Sequence, residues 1–184
     1  MKGHELPEIS VIVACYNHER WIERCIRSLA HQQDIGPEDF EIIAVDDGSS
    51  DNSWAIIKTI QSENQNIKAI RFLKNYGKSQ ALHAGFDHVQ GDIVFTMDAD
   101  LQDSPEEIPE LFRLITEENF DLISGWKKER HDPITKTVPS KLFNWVTRKI
   151  SGIELNDFNC GLKAYKRKVV KSIEVYGEMH RYIP

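Results

Sequence analysis

The chain has 184 residues, 40% of them hydrophobic and 28% charged, which suits one domain with a buried core and excludes wholesale disorder. Its net charge of -6 hides a division, because residues 1–125 carry -13 and residues 126–184 carry +7. The basic part points to an anionic partner such as a phosphate or a lipid surface, or else to a solvated lysine-rich face. The start, MKGHELPEIS, lacks an apolar signal core, and no run approaches the roughly 20 apolar residues of a membrane span, so neither is expected. Cys15, Cys25 and Cys160 have no paired spacing and are expected to be reduced, buried thiols.

In chain order, Ile9–Ala14 (ISVIVA) is an apolar run broken only by Ser10 and predicts a buried strand. A helix follows, with Trp21, Ile22, Cys25, Ile26 and Leu29 on one face and Asn17 as a possible N-cap. Phe40–Val45 predicts a second buried strand. The next helix runs from about Asn52 to Glu63, with Trp54, Ile57 and Ile60 three apart and Ser50 or Asp51 as its cap. Ile67–Leu73 is a third strand, Gly77–Val89 a helix and Ile93–Met97 a fourth strand. Ser104-Pro105-Glu106-Glu107 has the form of a capping box and opens a helix whose stripe is Ile108, Leu111, Phe112 and Ile115. Leu122–Gly125 is a fifth strand. Trp126–Pro139 is polar, basic and twice broken by proline, which predicts a mobile loop. Ser140–Ser151 predicts an amphipathic helix, Asp157–Tyr165 a turn into a short strand, and Arg167 the start of a short helix.

Repeated strand–helix units predict an α/β fold: a doubly wound, mostly parallel sheet with helices on both faces. Right-handed crossovers would place the strand C-terminal ends along one edge, where ligands of such sheets bind. That edge gathers Tyr16-Asn17, Asp46-Asp47 and Asp98-Ala99-Asp100. Carboxylates at a strand end suit a hard divalent cation, Mg²⁺ or Mn²⁺, bridged to a diphosphate, with Gln102 and Asp103 as further oxygen donors. The alternative is that these acids only begin the next turn. Asp46 or Asp47 suits the N–H groups of a nucleobase, or else belongs to a turn and cap before the second helix. Tyr16 can flank a base, and Asn17 or Glu19 can bond a ribose or base edge. Lys74 and Lys78 offer cations for phosphate. There is no GxGxxG or GxxxxGK[ST], which argues against a dinucleotide dehydrogenase and a P-loop enzyme. A DxDxT phosphatase is disfavoured because Asp98-Ala99-Asp100-Leu101-Gln102 lacks the threonine.

SVIVACYNHE, VDDGSSDNS, NYGKSQALHAGF and DADLQD, in this order, resemble the inverting glycosyltransferases of family 2, from about Ile9 to Tyr165. The later SGWKKER and DFNCGLKAYKR look like the polyprenyl-phosphate branch that includes dolichyl-phosphate mannose synthase, and the QxxRW of processive synthases is absent. The resemblance implies a Rossmann-like glycosyltransferase fold of the A type. It implies one catalytic domain over 1–184, with 9–125 binding the nucleotide sugar and 126–184 facing the acceptor. It also implies membrane helices after the last residue in the full-length protein and a place at the cytoplasmic face of the membrane.

By resemblance, Ala14, Tyr16 and Glu19 line the nucleoside pocket, with Asn17, Asp47, Lys78 and Ala99 beside them, and Asp46 binds the base. Asp98 contacts the ribose or the metal, and Asp100, with Gln102, holds the cation. Lys127, Lys128 or Arg130 supplies a cation to the phosphates. Asp157 is the candidate on the acceptor side. The expected reaction is in-line displacement with inversion, from a UDP- or GDP-linked sugar to a polyprenyl phosphate; nucleic acid is not an expected partner. A transferase acting on a sugar hydroxyl in glycan assembly, and a nucleotide-sugar-binding module without turnover, remain as rivals.

Overall fold

The structure is a computed structural model, and it describes residues 6–30, 36, 39–126, 149, 160–175, 177 and 183. The loop expected at 126–139, the helix expected at 140–151 and Asp157 lie outside these residues, apart from Trp126 and Lys149.

Six strands form one sheet in the order β3-β2-β1-β4-β6-β5. They are β1 (Ile9–Cys15), β2 (Phe40–Asp46), β3 (Ile67–Arg71), β4 (Ile93–Asp98), β5 (Leu122–Ser124) and β6 (Lys163–Lys166). The helices are α1 (Ile22–Ala30), α2 (Ser53–Glu63), α3 (Lys78–His88), α4 (Ile108–Glu117) and a single turn, α5 (Arg167–Val170). β1 lies between β2 and β4 and pairs with both in parallel, and β2 pairs with β3 in parallel. Strands buried on both faces have no polar side to alternate, which is why β1, β2 and β4 read as mostly apolar runs, interrupted only by Ser10, Glu41 and Thr96 before their ends.

Alternate residues of each strand point to opposite faces. On one face Val11, Val13, Ile42 and Phe95 pack with Ile26 and Leu29 of α1, Ile57 of α2 and Ile108 and Ile115 of α4. On the other Ile12, Ile43, Val45 and Val94 pack with Leu82 and Phe86 of α3 and Val170 of α5. Each fully buried Ile, Leu or Phe contributes roughly 1.5–3 kcal/mol, so the two layers together hold the sheet between its helices. The doubly wound α/β expectation is met.

Three local expectations are not. Ser104 is the N-cap and Pro105 opens the turn as expected, but the hydroxyl donates to Glu106 Oε2 and makes no cap hydrogen bond, and Pro105–Glu107 is a short 3₁₀ turn ahead of α4. Asn52 is the N-cap of α2, although Asp51 Oδ1 still accepts from Ser53 N at 3.0 Å. Asn17 is not the cap of α1, which begins five residues later at Ile22.

The sequence implies no direction for β6. It is antiparallel to both β4 and β5, with Thr96 opposite Lys163 and Ile93 opposite Lys166. Its beginning therefore lies at the ligand edge, and its end at the opposite edge. There Arg167 pairs with Asp92 at 2.7 Å, Lys168 with Asp121 at 2.7 Å, and Lys171 donates to Phe86 O at 2.6 Å. The basic run Lys166–Lys171 is thus carried away from the crevice and is already partnered.

Candidate active site

The chain makes sharp turns after β1, β2 and β4, and these turns are tied to one another by polar groups. Asn17 adopts φ 56°, a left-handed conformation that Asn tolerates better than most residues. From there its N–H donates to Ser49 Oγ and its Oδ1 accepts from Ser50 N, both at 2.9 Å. Glu19 accepts from Asn52 N at 3.0 Å, while its own N–H reaches Asp51 Oδ2 at 3.0 Å. His18 N donates to Ser53 Oγ at 2.9 Å. Asn17 and Glu19 therefore fasten the loop after β1 to the start of α2.

Asp47 has a similar task one loop further on. Its two oxygens accept from Tyr76 N at 2.8 Å and Gly77 N at 2.9 Å, which fixes the turn into α3. Gly48 lets the two loops touch: it has φ 70°, and a Cβ there would lie 2.3 Å from the Lys74 carbonyl carbon. Asp46 is fully enclosed. Its Oδ1 accepts from Ser49 N at 3.2 Å and its Oδ2 faces Arg71 Nε at 3.4 Å. The Arg71 guanidinium in turn lies over the Trp54 ring, 5.4 Å from its centre.

These loops and the end of β4 surround a cleft of ≈ 340 Å³. Ala14, Cys15, Tyr16 and His18 form one side, Asp47, Asn75, Gly77, Lys78 and Ala81 another, and Asp98, Ala99 and Asp100 the third. Tyr16 is 44% exposed and free to meet a planar ligand. Lys78 Nζ and Asp98 Oδ1 form an ion pair at 2.5 Å, both side chains about a third exposed. Asp100 Oδ1 accepts from Gln102 N at 3.0 Å, in a turn that Leu101 makes with φ 61°. The side chain of Gln102 is exposed.

Beneath this turn Asp103 is buried, and its Oδ2 accepts weakly from Asp98 N at 3.4 Å. Gly161, just ahead of β6, makes the crowding possible. A Cβ there would lie 2.6 Å from Oδ2 of both Asp98 and Asp103, and Thr96 Oγ1 holds the Gly161 carbonyl at 2.9 Å. The Cys25 thiol, under the same turn, is pushed up to about 12, by burial first and then by the charges of Asp100, Cys15, Asp103 and Asp98. Burial, opposed by a bond from Ser53, also raises Cys15 to about 11. Both thiols are protonated at neutral pH and poor nucleophiles.

The chain matches the family described as "Glycosyl transferase family 2" over residues 10–174. The chain belongs to that family. It is 38% identical over 178 residues to an undecaprenyl-phosphate 4-deoxy-4-formamido-L-arabinose transferase of Shewanella sediminis, covering 96% of this chain and 53% of the relative. To a dodecaprenyl-phosphate galacturonate synthase of Rhizobium johnstonii it is 33% identical, with the same coverage. Both are polyprenyl-phosphate enzymes by name, which agrees with the branch the sequence resembles. The chain spans about half the length of these curated relatives. A mannosyltransferase of Pyrobaculum calidifontis, solved with GDP-Man and Mn²⁺, superposes with a TM-score of 0.70 at 21% identity, over 94% of this chain and 48% of that one. That likeness concerns the fold.

Of the residues singled out from sequence, Ala14, Tyr16, Asp47, Lys78, Asp98, Ala99 and Asp100 line the cleft. Asn17, Glu19 and Asp46 stand behind it in the hydrogen bonds just given, and Gln102 lies beyond Asp100. Lys127, Lys128, Arg130 and Asp157 lie outside the described residues. Sequence reasoning missed Gly161 and the Asp46–Arg71 pair. The only signal for the second was an arginine closing a strand that otherwise reads as half-buried.

Proposed function

We propose that the chain is the catalytic domain of an inverting glycosyltransferase that moves a sugar from a nucleoside-diphosphate donor to a polyprenyl phosphate at a membrane surface. The observation that carries it is the convergence of Asp98, Asp100 and Lys78 on one cleft at the ligand edge of a family 2 sheet. Family membership and the names of the relatives support the acceptor class.

A divalent cation fits the donor set. Among the described residues no three His, Cys, Asp or Glu side chains are grouped to hold one unaided, and Mg²⁺ or Mn²⁺ commonly takes one or two carboxylates and completes its shell with phosphate oxygens. Asp98 and Asp100 would hold it. Once bound, such an ion neutralises charge on the departing diphosphate.

The remaining chemistry belongs to side chains. Tyr16 would flank the base; Asp46 is enclosed behind the cleft with Oδ2 facing Arg71 Nε at 3.4 Å, so it would receive a base N–H only once that oxygen is uncovered. Lys78 would meet a phosphate oxygen. An acceptor phosphate oxygen attacks the anomeric carbon from the face opposite the nucleoside diphosphate. The carbon–oxygen bond to the diphosphate breaks, and the configuration inverts. Because the attacking phosphate is already anionic at neutral pH, no strong base is needed. The cations for its headgroup would come from Lys127, Lys128, Arg130 and the residues after them, since Lys166–Lys171 face the other edge.

The test is transfer of radiolabelled sugar from UDP- and GDP-linked donors to a short-chain polyprenyl phosphate, beside the dephosphorylated alcohol and soluble saccharides. Label should pass only to the lipid phosphate, and Asp100→Ala should abolish transfer while the protein melts normally. Labelled saccharide with an unlabelled lipid would overturn the acceptor, and full turnover by Asp100→Ala would overturn the site.

A further inference from the structure

We propose that Lys78 is the resident counter-cation of Asp98, occupying the carboxylate oxygen that a divalent cation needs, so that metal and donor diphosphate displace it together. The proposal rests on the assignment of Asp98 and Asp100 to a metal and adds a step of exchange to it.

Lys78 is the first residue of α3, where the helix dipole favours an anion and disfavours a cation. Asp47 already fills the anion's place by accepting from Tyr76 N and Gly77 N. The helix itself therefore gains nothing from the ammonium of Lys78, which reaches across to Asp98 on another strand at 2.5 Å. Asp98 in turn needs a cation. Its Oδ2 and that of Asp103 both lie 2.6 Å from one point above Gly161, so the two oxygens are within roughly 5 Å, close enough for like charges to repel appreciably. Asp100 adds its charge in the same turn, and all three acids raise the Cys25 thiol beneath them, after burial itself.

An ammonium and a divalent ion repel each other when both are held at Asp98 Oδ1. Metal arriving alone must expel Lys78 into the cleft without a partner. Metal arriving with a diphosphate gives the expelled ammonium a phosphate oxygen. Each ligand thus raises the affinity for the other, and the coupling is reciprocal.

The experiment measures Mn²⁺ binding to the 184-residue chain by the paramagnetic resonance of free aqueous Mn²⁺, without nucleotide and with UDP or GDP. Wild type should bind Mn²⁺ weakly alone and more tightly with nucleotide. Lys78→Met should bind Mn²⁺ alone up to about fivefold more tightly, as befits loss of a competing part-exposed ion pair, and should gain less from nucleotide. Lys78→Arg should behave like wild type. Equal or weaker nucleotide-free binding by a folded Lys78→Met overturns the exchange. Unchanged Mn²⁺ binding by both Asp98→Asn and Asp100→Asn overturns the metal assignment and the exchange with it.

A metal-free arm separates the two failures. In EDTA, calorimetry with UDP and GDP should show tighter binding by Asp98→Asn, because Lys78 is released, and no such gain on a Lys78→Met background. An equal gain on both backgrounds means simple charge repulsion and overturns the role of Lys78, whatever becomes of the metal.

Discussion

Replacing Gly161 by alanine puts the most direct strain on the site with the smallest chemical change. The added Cβ would meet Oδ2 of Asp98 and Asp103 at 2.6 Å and Asp98 Cγ at 2.8 Å, where ordinary contact begins at 3.4 Å. Each oxygen must therefore give way by about 0.8 Å to restore ordinary contact. Asp103 is buried beneath Asp98, and Asp98 is held by Lys78, so neither carboxylate can turn aside without losing a partner. Overpacking of this kind costs about 1–3 kcal/mol, and loss of the part-exposed ion pair adds up to about 1 kcal/mol. For a domain of this size 2–3 kcal/mol lowers Tm by roughly 4–12 °C. Transfer should fall further than stability does, on the order of 100-fold, because displacements near 1 Å at reacting groups have that effect. The assay pairs a thermal melt with initial rates of sugar transfer to polyprenyl phosphate. Gly85→Ala is the control: its Cβ would press Ile12 Cγ2 at 2.6 Å, about two turns along α3 from Lys78, and it should leave transfer by the folded protein within about threefold. Equal effects of the two substitutions on transfer, or a normal rate for Gly161→Ala, would refute the idea that Gly161 sets the carboxylates.

Two further outcomes are expected. Asp46→Asn keeps the acceptor for Ser49 N but removes the charge, and should weaken UDP or GDP binding in calorimetry by about 1.5–3 kcal/mol; a lower Tm with unchanged affinity would leave Asp46 only its structural pairing with Arg71. Stability should decline with alkali as well. Cys15 and Cys25 have folded values raised from 9.0 to about 11 and about 12, so their contribution is complete below pH 9 and lost as pH rises through 11–12, while the unfolded thiols ionise first. Melts from pH 8 to 11 should show a smaller decline in Cys25→Val than in wild type, and parallel curves would contradict the shift.

Where one face or one strand decides the outcome, the sequence was readable. Ile9–Cys15 and Phe40–Asp46 are buried on both sides and show it as mostly apolar runs, and the spacing of Ile22, Cys25, Ile26 and Leu29 marks the buried face of α1. Asp98 and Asp100 stand out because acids directly after such a run need a reason to be there. What escaped depends on partners distant in the chain. The direction of β6 is set by its pairing with β4, about seventy residues earlier, through backbone groups that every residue carries. That reversal moved Lys166–Lys171 away from the crevice and brought Gly161 into it. Asp46 and Asp47 are neighbours with identical side chains, yet one is enclosed with Arg71 and the other caps the turn before α3; only the alternation of the strand separates them. At Ser104 the hydroxyl donates to the near carboxylate of Glu106, and its oxygen accepts no cap bond from the backbone.

The place of β6 between β4 and β5 also has a consequence during biosynthesis. β5 leaves the ribosome with no strand to join, because its partner in the sheet is β6, roughly 40 residues later, or about 2–8 s at ordinary elongation rates. Throughout that interval β4 presents an open edge beside its unshielded acidic turn, a template to which other nascent chains can pair. Closure of the sheet and delivery of Gly161 to Asp98 are then one event. A polypeptide released early, anywhere from residue 126 to residue 160, would carry the donor-side acids yet have neither a finished sheet nor a finished cleft.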